Sequence, residues 1–408
     1  MMWQKERRVT EHKLYEFIGA SILLLSLLGL FMAIRGLFVV AGVLIIYLVL
    51  NVLFDRSYPK NIELANPHTT LYLFPKDEGE LQFVFSNIGK FPLINGHLHM
   101  QVNQTIKPAS HLKYQGRQIN DIEIPLSLIG KKKTIITFKF TAEQRGAARF
   151  NNISYRFPHL FSFSDVRLSY QHFFKPEIVV FPQSTPVSGI DILKQFEPGH
   201  QPVRNSIYED LMHTVGTRNY TSRDPFQRIN WKASAKSQEL QTNIYETVMD
   251  DAYVFIVNAS MSSDPSSQEH IQVDDLEGRL SAATFLCQFA VEHHIPFEMM
   301  INTLKPGRPP FIHVREGEGK QHLIRAMEML ARVPKEPIVY PFISLLHHVA
   351  QNLSRPKTIV VIGDVPPEGH SVMNDLMYEH PNVLNVVFSK HGDASLKPWI
   401  SDVITNAR

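Results

Sequence analysis

Residues 17–54 read FIGASILLLSLLGLFMAIRGLFVVAGVLIIYLVLNVLF. Phe17 to Ile34 carries no charge in 18 residues, and Gly36 to Phe54 none in 19. At about 1.5 Å per helical residue, either run just crosses a hydrocarbon core of about 30 Å. Only Arg35 stands between them, with Gly36 beside it to ease a tight turn. The pair therefore reads as a transmembrane helical hairpin whose two ends emerge on one side. A signal peptide is the poorer reading of the first run, because no small-residue cleavage site follows it and a second span does. Lys5, Arg7, Arg8 and Lys13 precede the hairpin, and Arg56 and Lys60 follow it. Positive flanks stay inside, so the N-terminus and the chain after residue 60 are expected in the cytoplasm.

Outward from the hairpin, the 408 residues hold 41 Lys+Arg and 39 Asp+Glu, a net charge of +2. Binding nucleic acid demands a basic excess, so nucleic acid is not an expected partner. A composition 44% hydrophobic and 20% charged belongs to folded protein. The lone cysteine, Cys287, excludes an intrachain disulfide and any cysteine-built metal centre.

Between residues 61 and 183 the hydrophobic period is two. Leu81, Phe83 and Phe85 alternate with polar residues, as do Leu98, Met100 and Val102, and Ile136, Phe138 and Phe140. Asn87 with Gly89, Asn95-Gly96, and Gly130 before Lys131-Lys132-Lys133 read as turns, and the lysines as a solvated hairpin end. An antiparallel β-sandwich is expected. From residue 250 to 408 the pattern changes. Tyr253–Val257 and Thr358–Ile362 are wholly apolar, as strands buried on both faces are, and Phe297 to Ile301 and Val383–Phe388 read as two further strands. Helical stripes intervene: Leu276, Leu280, Ala283, Cys287, Ala290 and Val291; then Leu323, Met327 and Leu330; then Ile343, Leu346, Val349 and Leu353. That alternation predicts a doubly wound α/β domain, whose ligands bind at the C-terminal strand ends. The whole is a membrane-anchored α+β chain: N-terminus 1–16, hairpin 17–54, sandwich 61–183, a connecting segment 184–249, and an α/β domain 250–408.

Asp210 to Tyr245 reads DLMHTVGTRNYTSRDPFQRINWKASAKSQELQTNIY. Its Arg218, Tyr220, Asp224, Pro225, Arg228, Ile229, Asn230, Trp231, Lys232, Ala233 and Ala235 resemble the core pattern of the domain of unknown function 58 family. That pattern has one residue where Phe226-Gln227 separate Pro225 from Arg228 here. Gln144-Arg-Gly146, with Phe157 to Phe163 downstream, and Pro176 to Pro182 are similar to further passages of that family. The resemblance covers nearly the whole chain. It implies two N-terminal spans, a β domain and a von Willebrand factor A-like domain in a bacterial membrane protein. It also implies association with a MoxR-type AAA+ ATPase.

Asp224-Pro225 starts a turn, and Trp231 is expected to supply a buried face. Arg218, Arg223 and Arg228 can pair with carboxylates such as Glu209, Asp210, Asp224, Glu239 or Glu246. Three readings stand open: a clamp of the β domain onto the α/β domain, the role expected of Arg228; a surface for an acidic partner, with Lys232 and Lys236 more exposed; and a catalytic cluster. Asn258-Ala-Ser260-Met-Ser262 stands where von Willebrand A domains, by the same resemblance, carry the first ligands of a divalent-cation adhesion site, and Asp364 stands near their downstream aspartate. Asn258 lacks the carboxylate that Mg²⁺ prefers, so the degenerate site Asn258, Ser260, Ser262 and Asp364 is expected to be empty or to bind Mg²⁺ weakly. Asn258→Asp would be expected to restore some binding. His293-His294 and His347-His348 are adjacent on helices and point apart, which suits surface positions better than chelation. No P-loop, H-E-x-x-H or G-x-S-x-G motif is present, and no catalytic residue is assigned. The expectation is a non-enzymatic adaptor or co-chaperone at the membrane. The alternative is an outward-facing, cation-dependent adhesion module, and a hydrolase with an unrecognised site is the third class.

Overall fold

The computed structural model describes residues 2–6, 10–32, 34–110, 112–115, 119–161, 164–194, 209–247, 252–260, 274–353, 357–380, 382–389 and 392–400. The chain divides into two compact units, residues 1–181 and 182–408.

In the first unit the two uncharged runs form helices Thr10–Met32 and Arg35–Asn61, each long and apolar enough to cross a membrane. Their leucines and phenylalanines face outward: Phe17 is 74% exposed and Phe31 92%. Such a surface is tolerated where hydrocarbon, not water, covers it. The second helix runs past the expected end at Phe54 because Phe54 and Tyr58 are buried in the sandwich core. The Phe54 ring lies 4.7 Å from His159 and 5.5 Å from Phe91. Asp55 accepts bonds from Lys5 Nζ at 2.9 Å, Tyr15 Oη at 2.6 Å and Tyr58 Oη at 2.8 Å. The hairpin is thus fastened to the β-structure by aromatic burial and by a carboxylate with three donors.

One correction concerns residues 1–16, read from sequence only as a charged flank. Trp3–Lys5 is a strand, paired antiparallel with Asp165–Tyr170, and Trp3 is fully buried. A sheet edge with an apolar pocket takes up three residues too short to show a period. The chain therefore starts in the sandwich, makes the hairpin and returns to the sandwich.

The sandwich has a six-stranded sheet in the order Trp3–Lys5, Asp165–Tyr170, Asn151–Pro158, Leu93–Asn103, Ile119–Leu128 and Leu112–Gln115. Facing it across one shared core is a four-stranded sheet, Ile62–Leu64, Glu78–Asn87, Lys132–Ala142 and Ile106–Pro108. All pairings in both sheets are antiparallel. A third sheet joins Gly146–Arg149, Glu177–Val180 and Thr70–Leu73, the last two in parallel. The alternation read from sequence fills the core: Leu81, Phe83, Phe85, Leu98, Met100, Val102, Phe138 and Phe140 are all buried. Lys131, Lys132 and Lys133 are exposed at a turn, with Lys131 at φ 58°. Asn95-Gly96 is not a turn. It is a bulge inside Leu93–Asn103, with Asn95 at φ 54°, and the buried Tyr155 side chain lies over Gly96.

The second unit is built on a seven-stranded sheet ordered Val187–Ser188, Ala394–Pro398, Val383–Phe388, Thr358–Ile362, Tyr253–Val257, Phe297–Leu304 and Phe311–Gly317. Its four central strands run parallel, and Phe311–Gly317 and Ala394–Pro398 run antiparallel to their inner neighbours. Tyr253, Phe255 and Val257 pack with helices Asp274–Glu292 and Gly319–Arg332, while Val254 and Ile256 pack with helices Phe342–Asn352 and His370–Glu379. Helices therefore cover both faces, which is why every residue of the central strand is buried. Cys287 is wholly enclosed in the first of these cores, where burial pushes its thiol pKa up and leaves it a packing residue.

Candidate functional site

Two places hold the residues singled out by sequence. The Arg/Trp segment forms a hairpin of strands Glu209–Asn219 and Gln241–Thr247, with a short helix, Trp231–Ser237, between them. The helix starts at Trp231 because Asn230 caps it, its Oδ1 accepting from the Ala233 N–H at 2.9 Å. Asn230 also donates to Asn243 Oδ1 at 2.8 Å, which ties the cap to the second strand. Ile229 and Ser234 take the inner side, both buried, and the Ser234 hydroxyl accepts from the Gln241 N–H at 2.8 Å. With those positions inward, Trp231 points out. It is 60% exposed, contrary to the buried face expected of it, and it meets the 65%-exposed Phe226 edge-on at 5.6 Å. Arg223, Lys232 and Lys236 are exposed on the same short segment.

Arg218 and Asp224 form a bidentate pair, Nη1 to Oδ2 at 2.8 Å and Nη2 to Oδ1 at 2.6 Å. The Thr221 N–H and hydroxyl both donate to Asp224 Oδ2, each at 2.9 Å. Asp224 thus bonds the residues before it, not the backbone after it. The Arg228 guanidinium lies 5.5 Å from the centre of the Tyr245 ring, and the Tyr220 N–H donates to Leu240 O at 2.8 Å. These contacts all close within the hairpin. The Arg218 pair and then the Thr221 amide hold the Asp224 carboxyl well below the usual carboxylate range. A carboxylate lowered in this way stabilises the fold above its ordinary pKa, and that contribution is lost as pH falls toward the folded value. The Thr221 amide should stay protected from exchange between neutral pH and about pH 4, then lose protection on further acidification. In Asp224→Asn the protection should be weak throughout that range, which hydrogen-exchange NMR would read directly.

The second place is the C-terminal end of the parallel sheet, where the loops after Tyr253–Val257 and Thr358–Ile362 meet. Asn258 and Asp364 come together there: Asn258 Nδ2 donates to Asp364 O at 2.6 Å. Asn258 Oδ1 accepts from the Ser260 N–H at 3.0 Å and from Asn302 Nδ2 at 3.2 Å. Ser262 lies outside the described residues. Two side chains that the sequence reading missed organise this cluster. Asn302, fully buried, donates to Ser260 Oγ at 2.9 Å and Tyr340 O at 3.2 Å, and accepts from the Ala259 N–H at 2.6 Å. Arg279, 1% exposed, donates through Nη1 to Asn258 O at 2.9 Å and Ser260 O at 2.8 Å. Its Nη2 lies 3.3 Å from Asp364 Oδ2. Little in the sequence marks Arg279, because Asp274, Asp275 and Glu277 precede it in the same helix and it reads as one more charge of an amphipathic first turn.

The paired histidines stay apart from both places. His293 packs on Phe289, with ring centres 4.2 Å apart, and His348 lies edge-on to Phe311 at 5.0 Å.

No protein-family model matches the chain, and no curated protein matches it. Among solved structures, the chain is similar to a CARDB domain from Pyrococcus furiosus at 14% identity, with a TM-score of 0.18, over 29% of this chain and 92% of that one. A putative membrane anchored protein from Corynebacterium diphtheriae gives 14% identity and a TM-score of 0.20, over 31% and 34%. A cohesin–dockerin complex from Clostridium thermocellum gives 8% and 0.21, over 29% and 99%. Superpositions this weak carry no argument about function.

Proposed function

We propose that this chain is a membrane-anchored, non-enzymatic interaction protein whose hairpin segment docks a MoxR-type AAA+ ATPase acting on client complexes. The observation that carries the reading is the outward Phe226–Trp231 pair with exposed Arg223, Lys232 and Lys236 beside it. Exposed aromatics beside cations are costly to leave in water and are the residue types enriched where proteins bind one another. The Arg218–Asp224 ion pair and the Asn230 capping bonds hold the same short segment in place, so little order is lost on docking. The partner's identity comes from the resemblance to the domain of unknown function 58 family. The strand order of the second unit, with a parallel centre, an antiparallel edge and helices on both faces, supports the von Willebrand factor A-like reading.

Anchoring follows from the two apolar helices, and the lysines and arginines flanking them favour a cytoplasmic soluble part. Trp3–Lys5 pairs within the sandwich, so both ends of the hairpin lie on the sandwich side.

The test uses the full-length chain as bait in native membranes, with and without ATP. Phe226→Ala/Trp231→Ala should melt with the parent protein, because both side chains are exposed, yet capture at least tenfold less ATPase, the effect of about 1.4 kcal/mol or more. Capture by the parent should weaken as salt is raised. Undiminished capture by the double variant would remove the docking role from this face. External protease on intact cells should leave the sandwich whole. Its digestion there would favour the outward-facing adhesion module instead.

A further inference from the structure

We propose that the Arg279 guanidinium is the resident cation of the strand-end cluster and takes the place of a divalent metal ion there. Three observations converge on this. The first is where the positive charge lies. The fork of Arg279 bonds the backbone oxygens of Asn258 and Ser260 on one loop and the Asp364 carboxylate on the other. It therefore joins the two loops that a cation at this end of the sheet would have to join. Arg279 is 1% exposed, and a guanidinium can be buried only where acceptors of this kind surround it.

The second observation is the chemistry of Asn258. Its Nδ2 donates to Asp364 O at 2.6 Å. An aspartate has no proton to give at neutral pH, so a carboxylate would set its oxygen against a carbonyl oxygen. The amide is what this cluster needs, and it is not merely a lost metal ligand. With Asn258 neutral, Asp364 is the one carboxylate among the described residues of the cluster, and Arg279 already balances it. A hard dication held mainly by carboxylate finds no net negative charge among these described residues, and it would be repelled by the guanidinium.

The third observation is the backbone at Gly363. It sits at φ +105°, and a Cβ added there would fall 3.0 Å from both Cδ and Nε of Arg279. The loop after Thr358–Ile362 runs close against the arginine stem, and its conformation at this position favours glycine.

The proposal stands apart from the docking reading, because its test needs no partner. The full-length chain, its Asn258→Asp and Arg279→Met variants and the Asn258→Asp/Arg279→Met double variant are titrated with Mg²⁺ alone by calorimetry. Each is also melted with Mg²⁺ and with EDTA. The parent and Asn258→Asp should show no saturable Mg²⁺ binding. Arg279→Met should melt on the order of 10 °C lower, because Asp364 and two loop carbonyls lose their donor. The double variant, with the cation removed and a carboxylate added, should be stabilised by Mg²⁺. Should Arg279→Met fail to fold, Arg279→Lys keeps the charge and should remain folded and indifferent to Mg²⁺. Saturable micromolar Mg²⁺ binding by the parent or by Asn258→Asp would overturn the proposal. So would an Arg279→Met protein as stable as the parent, or a folded double variant blind to Mg²⁺.

Discussion

A Gly96→Val protein is expected to lose its folded sandwich while its two apolar helices still reach the membrane. Gly96 is buried at the bulge in Leu93–Asn103, and a Cβ built on it would lie 2.3 Å from Tyr155 Oη, 2.5 Å from Cζ and 2.6 Å from Cε2. No real contact is that short, so either the ring or the strand must move. Tyr155 has nowhere to go. It is fully buried, it stacks on Phe157 at 5.3 Å, and its hydroxyl donates to Leu126 O at 2.9 Å. Displacing it breaks that bond and overpacks the core, at a cost of about 3 kcal/mol or more. Far-ultraviolet circular dichroism and limited proteolysis in detergent should show the β-structure melting on the order of 10 °C lower, or absent at room temperature. Pairing Gly96→Ala with Tyr155→Leu should recover part of the loss, because the smaller side chain vacates the space. A valine variant that melts with the parent would mean that Tyr155 does not cover this position.

Asn302→Leu should be nearly as damaging in the second unit, and for the opposite reason. Leucine fits the volume but satisfies nothing. Asn302 gives partners to the Ala259 N–H, the Ser260 hydroxyl, Asn258 Oδ1 and Tyr340 O; Asn302, Ala259 and Asn258 are buried, and Ser260 and Tyr340 half-buried. Each buried polar group left without a partner costs about 1–3 kcal/mol, so the total is on the order of 4 kcal/mol. Melting should fall on the order of 10 °C, and the amide of Ala259 should lose its exchange protection. Asn302→Asp separates bonding from shape. It can still accept from Ala259, yet it cannot donate to Ser260 or Tyr340, and an intermediate loss is expected. An Asn302→Leu protein with unchanged stability and unchanged protection at Ala259 would show that the network does not hold the loop.

Much of the architecture is legible in the sequence. Two uncharged runs of spanning length predict two long apolar helices, and two helices long and apolar enough to cross a membrane form there. The change from period two to continuous apolar runs separated the sandwich from the α/β sheet, because a strand wet on one face alternates and a strand covered on both does not. The parallel run of the central strands and the core role of Cys287 followed from the same reasoning, but not the order in which the strands lie. The site was less legible. Trp231 was read as buried on residue type alone, but the cap at Asn230 and the inward turn of Ile229 and Ser234 set its direction. Asn95-Gly96 looked like a hairpin turn because turns and bulges draw on the same residues. What makes it a bulge is a tyrosine from Asn151–Pro158, a strand far away in sequence.

The sequence by itself determined what depends on one segment's own composition: the two long apolar helices, the flanking charge, the alternating and the continuous strands, and the apolar helix faces. Only the tertiary structure decided what depends on two segments meeting. Trp3–Lys5 is a strand because Asp165–Tyr170 offers it an edge. Arg279 is a cluster's cation because the sheet brings Asp364 to it across 85 residues of chain. Periodicity records how each residue divides between inside and outside of its own element. It carries no record of which inside faces which, and that is fixed only when strand order and loop closure bring distant side chains within bonding distance.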